Sequence, residues 1–339
     1  MRIAFWMPHL KIAGGTRITL GYADALARRG HDVSVVVVNP QPIRRALANL
    51  FRVRPRWQRG LCARIVRVAS WEHAPEADVV IADSWQVAHA LAHSGNATCS
   101  IELIQHDERL YHGNPEEVAE TYRLPLKKIV VASWLKDVLR HDFRQDAALL
   151  LNPIDRNLFF PVSVTRDPET IRVMLLDHDY AWKGTAEGIA IVRRLKERYP
   201  QLRLVMFGVR KTATARFADE YHFKPPQEKL REIYSSCDIY LCPSWDEGSG
   251  LPSMEAMLCG AALVTCDNGG SRDYATDGET AFVAAHRDHA DLERKLEVAV
   301  SDDLRRREAA VAGKRRIEAM PTLDEQAERL EAILKELCP

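Results

Sequence analysis

Two glutamates, Glu247 and Glu255, bracket the seven residues Gly248-Ser249-Gly250-Leu251-Pro252-Ser253-Met254, where a glycine loop runs into an apolar helix. Gly248 and Gly250 can take the positive φ values that let main-chain N–H groups crowd against a ligand. A helix opening near Pro252 then offers unpaired N–H groups and a partial positive charge to an anion. Glu247, in the loop, can accept hydrogen bonds from sugar hydroxyls. Glu255 lies about one helical turn further on and faces back toward the same pocket. The layout therefore suits a ligand that joins a sugar to an anion, as a nucleotide sugar does. The bland alternative is a solvated loop glutamate and a surface helix glutamate. Against it stand the Gly-x-Gly-Leu-Pro between them and the Glu-Ala-Met-x-x-Gly that ends at Gly260.

Further residues could meet the same kind of ligand. Gly14 and Gly15 fall between a first strand and a first helix, where small residues let the backbone approach a phosphate or sugar. His106 and Asp107 follow Ile104-Gln105 at the end of another strand, the edge where ligands bind in such folds. His106 is either a ligand contact or a hydrogen-bonded structural histidine. Lys183-Gly184, between a strand and a helix, is placed to neutralise a diphosphate. Asp177 and Asp179, on alternate residues, mimic a carboxylate pair for Mg²⁺ or Mn²⁺, a reading the rest of the pattern disfavours. No G-x-G-x-x-G, H-E-x-x-H, Walker A or G-x-S-x-G pattern occurs, so dehydrogenase, metalloprotease, P-loop and serine-hydrolase chemistry lack their central residues.

The elements that must position these residues alternate. Strand-like runs at 3–7, 33–38, 79–82, 100–105 and 129–132 are interleaved with helical ones, beginning at 16–29. A second series of strands at 171–176, 202–207, 239–242 and 262–265 is separated by helices at 185–198, 227–235 and 252–259. Near-continuous Val/Ile runs imply parallel strands covered on both faces. The expected fold is therefore α/β, with two Rossmann-like doubly wound domains. The polar, proline-flanked connector 161–168 places the boundary between a domain of residues 1–162 and one of 163–321. Pro321 ends a helix, and Thr322-Leu323-Asp324-Glu325 reads as a capping box for the last one.

The 339 residues are 46% hydrophobic and 28% charged with formal net charge zero, as expected of a soluble two-domain enzyme and not of a nucleic-acid binder. The apolar run at the N-terminus is too short for a secretory signal, and no run is long enough to span a membrane. Seven cysteines, Cys62, Cys99, Cys237, Cys242, Cys259, Cys266 and Cys338, contain no C-x-x-C pair and mostly sit beside apolar residues. They read as reduced, buried thiols of a cytoplasmic protein.

The 245–260 stretch resembles the retaining glycosyltransferases of family 4, the glycosyl transferases group 1. Asn152-Pro153-Ile154-Asp155 with Phe159 and Pro161, and Ser133-Trp134-Leu135, resemble segments near the end of that family's first domain. The resemblance implies the GT-B architecture, two Rossmann-like domains facing across a cleft, with the last helix, 322–339, packed back on the first. It implies a retaining, metal-independent transfer of a hexosyl or deoxyhexosyl group from a nucleoside-diphosphate sugar to an acceptor hydroxyl, with no cofactor. Glu247 would contact the donor sugar, Glu255 the nucleotide ribose, and Gly248, Ser249, Gly250 and Leu251 the donor. Gly14 and Gly15 would be the glycine-rich first loop, His106 would orient the sugar, and Lys183 would hold phosphate. His222 and Phe223 fall where the family places its base-binding strand. The family's Gly-Arg is replaced here by Asp177-His178-Asp179. A protonated His178 together with Arg210 and Lys211 would have to supply the missing charge. The acceptor would be a glycan, a lipid-linked sugar or a small molecule. The alternative is a non-catalytic GT-B protein that binds a nucleotide sugar or partners an active transferase.

Eight arginines, Arg44, Arg45, Arg52, Arg54, Arg56, Arg59, Arg64 and Arg67, lie between Asn39 and Ser70 with no acidic residue. The segment either docks an anionic membrane or acceptor, placing the protein on the inner membrane face, or is a solvated surface whose arginines pair with acids elsewhere.

Overall fold

In the computed structural model, residues 1–55, 57–58 and 60–338 are described. The chain divides into two compact units, Met1–Pro153 with Thr322–Pro339, and Ile154–Pro321.

The first unit holds strands β1 (Arg2–Trp6), β2 (Asp32–Val38), β3 (Arg64–Val68), β4 (Ala77–Ala82), β5 (Ala97–Ile104), β6 (Lys127–Val130) and β7 (Ala148–Leu149), with helices α1 (Gly14–Arg28), α2 (Pro42–Leu50), α3 (Trp85–Ala92), α4 (Pro115–Arg123) and α5 (Ser133–Phe143). Its sheet is ordered β3-β2-β1-β4-β5-β6-β7, every neighbour parallel. The second unit holds β8 (Ile171–Leu176), β9 (Leu202–Gly208), β10 (Glu220–Phe223), β11 (Ile239–Cys242), β12 (Ala262–Cys266) and β13 (Phe282–Ala284), with α6 (Thr185–Arg198), α7 (Gln227–Ser235), α8 (Leu251–Leu258), α9 (His289–Ser301) and α10 (Asp303–Glu318). Its sheet, β10-β9-β8-β11-β12-β13, is likewise parallel throughout. The final helix, α11 (Leu323–Leu337), belongs to the first unit and opens on a Thr322/Glu325 capping box.

The Val/Ile runs are buried because helices cover both faces of each sheet. Val33, Val35, Val36 and Val37 of β2 are buried on both sides of the strand, as a parallel sheet demands. In each sheet the chain order reverses once, between β1 and β4 in the first and between β8 and β11 in the second. At such a point the loops leaving two adjacent strands part in opposite directions and open a crevice at the carboxyl edge.

Three features differ from the sequence reading. The boundary falls after Pro153, before the 161–168 connector, because the intervening residues pack with the second unit. The Ile154 N–H bonds Pro321 O, and Phe159 is buried edge-to-face against Tyr234. The arginine-rich segment also supplies a strand that the sequence reading did not include, since Arg64 and Arg67 lie in β3. Nor are the cysteines all reduced: Cys99 and Cys338 form a disulfide, with Cα atoms 5.6 Å apart at a sequence separation of 239, which no local motif could reveal. Of the remaining five, Cys62 is exposed and the others are buried. Among the described residues no helix is long and apolar enough to cross a membrane.

Candidate functional site

Lys183 and Glu247 meet at the crevice of the second unit. Lys183 ends a short 3-10 turn after β8, and Glu247 lies in the loop after β11. The lysine ammonium sits 2.7 and 2.8 Å from the two carboxylate oxygens, with both side chains largely shielded from water. Their loops are locked together through the main chain. The Trp245 N–H donates to Trp182 O at 2.8 Å. Gly184 adopts a left-handed φ of 64°, and a Cβ there would lie 2.3 Å from Pro243 O. Only glycine allows this approach.

The other side of the Glu247 loop is held by Asn268-Gly269-Gly270. The Glu247 N–H donates to Asn268 O at 2.9 Å, and Asn268 is itself buried with its side chain bonded to Thr265 and Ser271. Any Cβ on Gly270 would lie 2.7 Å from Gly248 O. The following Ser271-Arg272-Asp273 forms a single 3-10 turn, not a longer helix. Gly250, at φ 77°, caps α8, and its carbonyl accepts the Ser253 and Met254 N–H groups, whereas Gly248 does not take the positive φ expected of it. Ser249 and Leu251 flank it and are buried. Lys183 and Glu247 line a cavity of about 30 Å³ together with Tyr240, Cys242, Ser244 and Gly250.

Glu255, the second glutamate of the motif, is held from the side of α7. It lies in α8, 3% exposed, and accepts a hydrogen bond from Tyr234 Oη of α7 at 3.2 Å. Tyr234 is fully buried among Phe159, Phe207 and Tyr240. Nothing in the local sequence announced Tyr234 as a partner.

The Asp177-His178-Asp179 stretch resolves into three separate roles. Asp177 is buried and accepts from Thr212 Oγ1 (2.6 Å), Thr212 N, Thr214 Oγ1 and Tyr221 Oη (2.7 Å), which ties β8 to the loop after β9. Asp179 pairs with Arg210 at the surface. The two carboxylates are thus committed to different partners, and among the described residues no group of three His, Cys, Asp or Glu could hold a metal ion. His178 Nδ1 accepts from the Tyr180 N–H at 3.1 Å. Burial, and then the charge of Lys183, hold its pKa below the ordinary value. Lys211 rests over the Tyr221 ring. At the carboxyl end of β10, Phe223 stands 54% exposed, while His222 Nε2 lies 2.7 Å from Glu220. An exposed ring at this edge offers a stacking face.

The first unit has its own crevice, between β1 and β4. Gly14 and Gly15 form the first turn of α1, which begins two residues earlier than the sequence suggested and has no side-chain cap. A Cβ on Gly15 would lie 2.7 Å from Gln105 Oε1, and Gln105 Nε2 donates to Thr19 Oγ1. Asp83, directly after β4, was not singled out from the sequence. Burial pushes its carboxyl up to about 7, moderated by the Thr19 hydroxyl. Burial likewise pushes Glu108 up to about 8, although its carboxylate accepts the Trp85 N–H at 2.8 Å. A carboxylate immediately following a buried strand was the available signal. His106 sits among Tyr111, His112 and Trp134, with ring centroids 5.9–6.4 Å away. Asp107 is buried and chelated by Arg109, a structural role.

Residues 163–316 match the family described as glycosyl transferases group 1. Among curated proteins, the chain is 37% identical over 98 residues to alpha-maltose-1-phosphate synthase of Mycolicibacterium smegmatis, covering 27% of this chain and 25% of that one. It is 26% identical over 249 residues to the O-antigen biosynthesis protein RfbC of Myxococcus xanthus, covering 71% of this chain and 20% of that one. The matches thus span a quarter or less of these relatives' lengths. Among solved structures, Anabaena HepE in complex with UDP and glucose superposes with a TM-score of 0.78 at 14% identity, covering 99% of this chain and all of that one. The fold is that of the GT-B glycosyltransferases.

Proposed function

We propose that this chain, whose residues 163–316 match the glycosyl transferases group 1 family, is a retaining glycosyltransferase that uses a nucleoside-diphosphate sugar. The observation that carries the reading is the Lys183–Glu247 pair at the β8/β11 crevice, beside the glycine-led start of α8. The lysine and the partial positive charge at the start of α8 suit a diphosphate, and the glutamate suits sugar hydroxyls. In the reaction the bond from the anomeric carbon to the phosphate oxygen breaks, and the acceptor oxygen bonds the same face of that carbon. The acceptor proton passes to the departing phosphate oxygen, so no side-chain base is required. Lys183 meets the charge that develops on the leaving group, and Glu247 orients the sugar. Glu255 is read as the ribose contact, and Phe223 and His222 as the edge that meets the base.

A hexosyl or deoxyhexosyl donor, a glycan or lipid-linked acceptor, and a place in glycan, glycolipid or envelope-polysaccharide synthesis at the cytoplasmic membrane face complete the proposal. RfbC, named for O-antigen biosynthesis, supports it. Incubation with a panel of nucleotide sugars should release nucleoside diphosphate slowly from one of them. Activity should survive EDTA, because Asp177 and Asp179 are already engaged by other groups; loss on EDTA with rescue by Mn²⁺ would restore the metal reading.

One observation favours a second reading. The expected phosphate-binding arginine is absent, burial holds the His178 pKa below its ordinary value, and Arg210 is paired with Asp179. Tight binding of a nucleotide sugar with no turnover on any donor would select the non-catalytic protein.

A further inference from the structure

Helix α2 is amphipathic in the reverse sense to a normal surface helix. Its polar side chains hold it to the first unit: Arg45 Nη1 donates to Asn39 O at 2.8 Å, Asn49 Nδ2 donates to Arg67 O, and Asn49 Oδ1 accepts the Arg67 N–H. Its apolar side chains point away. Ile43, Leu47 and Leu50, spaced i, i+4, i+7 along one face, are 75, 48 and 73% exposed, and Phe51 just beyond the helix is 70% exposed. No residue of α2 is buried. A folded surface helix ordinarily buries this stripe, and an apolar patch left in water marks an interaction site.

Charge identifies the occupant. Of the eight arginines, Arg45 is spent on Asn39, Arg64 on Asp32, and Arg67 on Val53 O. Arg44, Arg52 and Arg54 are exposed beside the apolar stripe, and Arg56 and Arg59 lie outside the described residues. A second copy packed symmetrically on this face would bring the same cations together. An anionic bilayer brings the opposite charge and an apolar layer just below it. Trp57 Nε1 donates to Leu10 O at 3.2 Å, fastening the segment next to the loop that leads to Gly14 and Gly15, where Ile12 is also exposed.

We infer that α2 and Phe51 lie in the interface of an anionic lipid bilayer, with Ile43, Leu47, Leu50 and Phe51 entering the acyl boundary and Arg44, Arg52 and Arg54 meeting lipid phosphates. This deepens the acceptor side of the transferase reading and needs nothing from the donor site. At nine residues the helix is far too short to span and lies flat.

Co-sedimentation of the full chain with vesicles of phosphatidylcholine alone and of phosphatidylcholine mixed with phosphatidylglycerol tests it. The wild type should bind only the mixed vesicles, and less at high salt. The variant Ile43→Ser/Leu47→Ser/Leu50→Ser/Phe51→Ser should bind about tenfold or more weakly. Arg44→Ser/Arg52→Ser/Arg54→Ser should lose the salt-sensitive part. Both variants should keep the wild-type melting temperature. Absence of wild-type binding, or equal binding by the first variant, overturns the inference. So does a wild-type dimer that the first variant dissociates. Donor hydrolysis measured on the same samples reports separately on the transferase reading.

Discussion

Lys183 and Glu247 stand 64 positions apart in sequence and 2.7 Å apart in space, so each sets the other's position before any ligand arrives. Lys183→Ala and Glu247→Ala should each lower turnover at least about tenfold, since each removes a charged contact of roughly 1.4 kcal/mol or more at the reacting atoms. Near-wild-type turnover in either folded variant sinks its role. Asp83 makes a different kind of statement. Its folded pKa of about 7 lies above the ordinary 3.8, so folding takes up a proton. Its stabilising contribution is complete below the unfolded value and is lost as pH rises through about 7. Asp83→Asn can still accept from Thr19 but carries no charge. The variant should therefore melt a few degrees higher than wild type at pH 8, with the gain shrinking toward pH 4. Calorimetry at both pH values checks this, and an equal shift at both counts against it. Residue identities exposed Glu247 as a candidate because glycines and an apolar helix surround it. They could not reveal that Lys183 is its partner, that Glu255 turns to Tyr234, or that Asp177 is consumed by Thr212 and Tyr221. Those facts depend on which loops the sheet order brings together.

At the scale of elements, the parallel strands were legible because β1, β2, β8 and β9 are apolar on both faces, whereas β3, β7, β10 and β13 were not. β3 carries two arginines, and β7 has only two residues. The loop between β8 and α6 is the element on which the candidate site turns. Gly184 must be left-handed there and must approach Pro243 O more closely than any side chain permits. Gly184→Ala forces the Lys183 loop away from the β11 loop. It should cost roughly 1–3 kcal/mol of stability and lower donor turnover together. Turnover and melting temperature both at wild-type values would show that the two loops need not touch.

At the scale of the molecule, the first unit is discontinuous in sequence, since α11 returns to complete it. The disulfide pins the end of that returning segment to β5, so alkylation in denaturant without reductant should mark five cysteines, rising to seven after reduction. Labelling of Cys99 without reductant would remove the bond from the account. The helix also carries real core: Ala327, Leu330, Ile333 and Leu334 are buried, Leu323 rests against Gly21 of α1, and Gln326 Nε2 donates to Leu151 O. Losing three large side chains from the core removes roughly 5 kcal/mol or more of hydrophobic stabilisation, which matches the lower end of a whole domain's stability. The surface pair between Arg29 and Glu331 adds little beside this. A chain ending at Pro321 should therefore keep a cooperatively folded second unit while the first loses protection, read by hydrogen exchange as rapid exchange in β1 and α1 with slow exchange retained in β8 and β11. Slow exchange throughout both units in that truncated chain would mean the first unit's core is sufficient without its last helix.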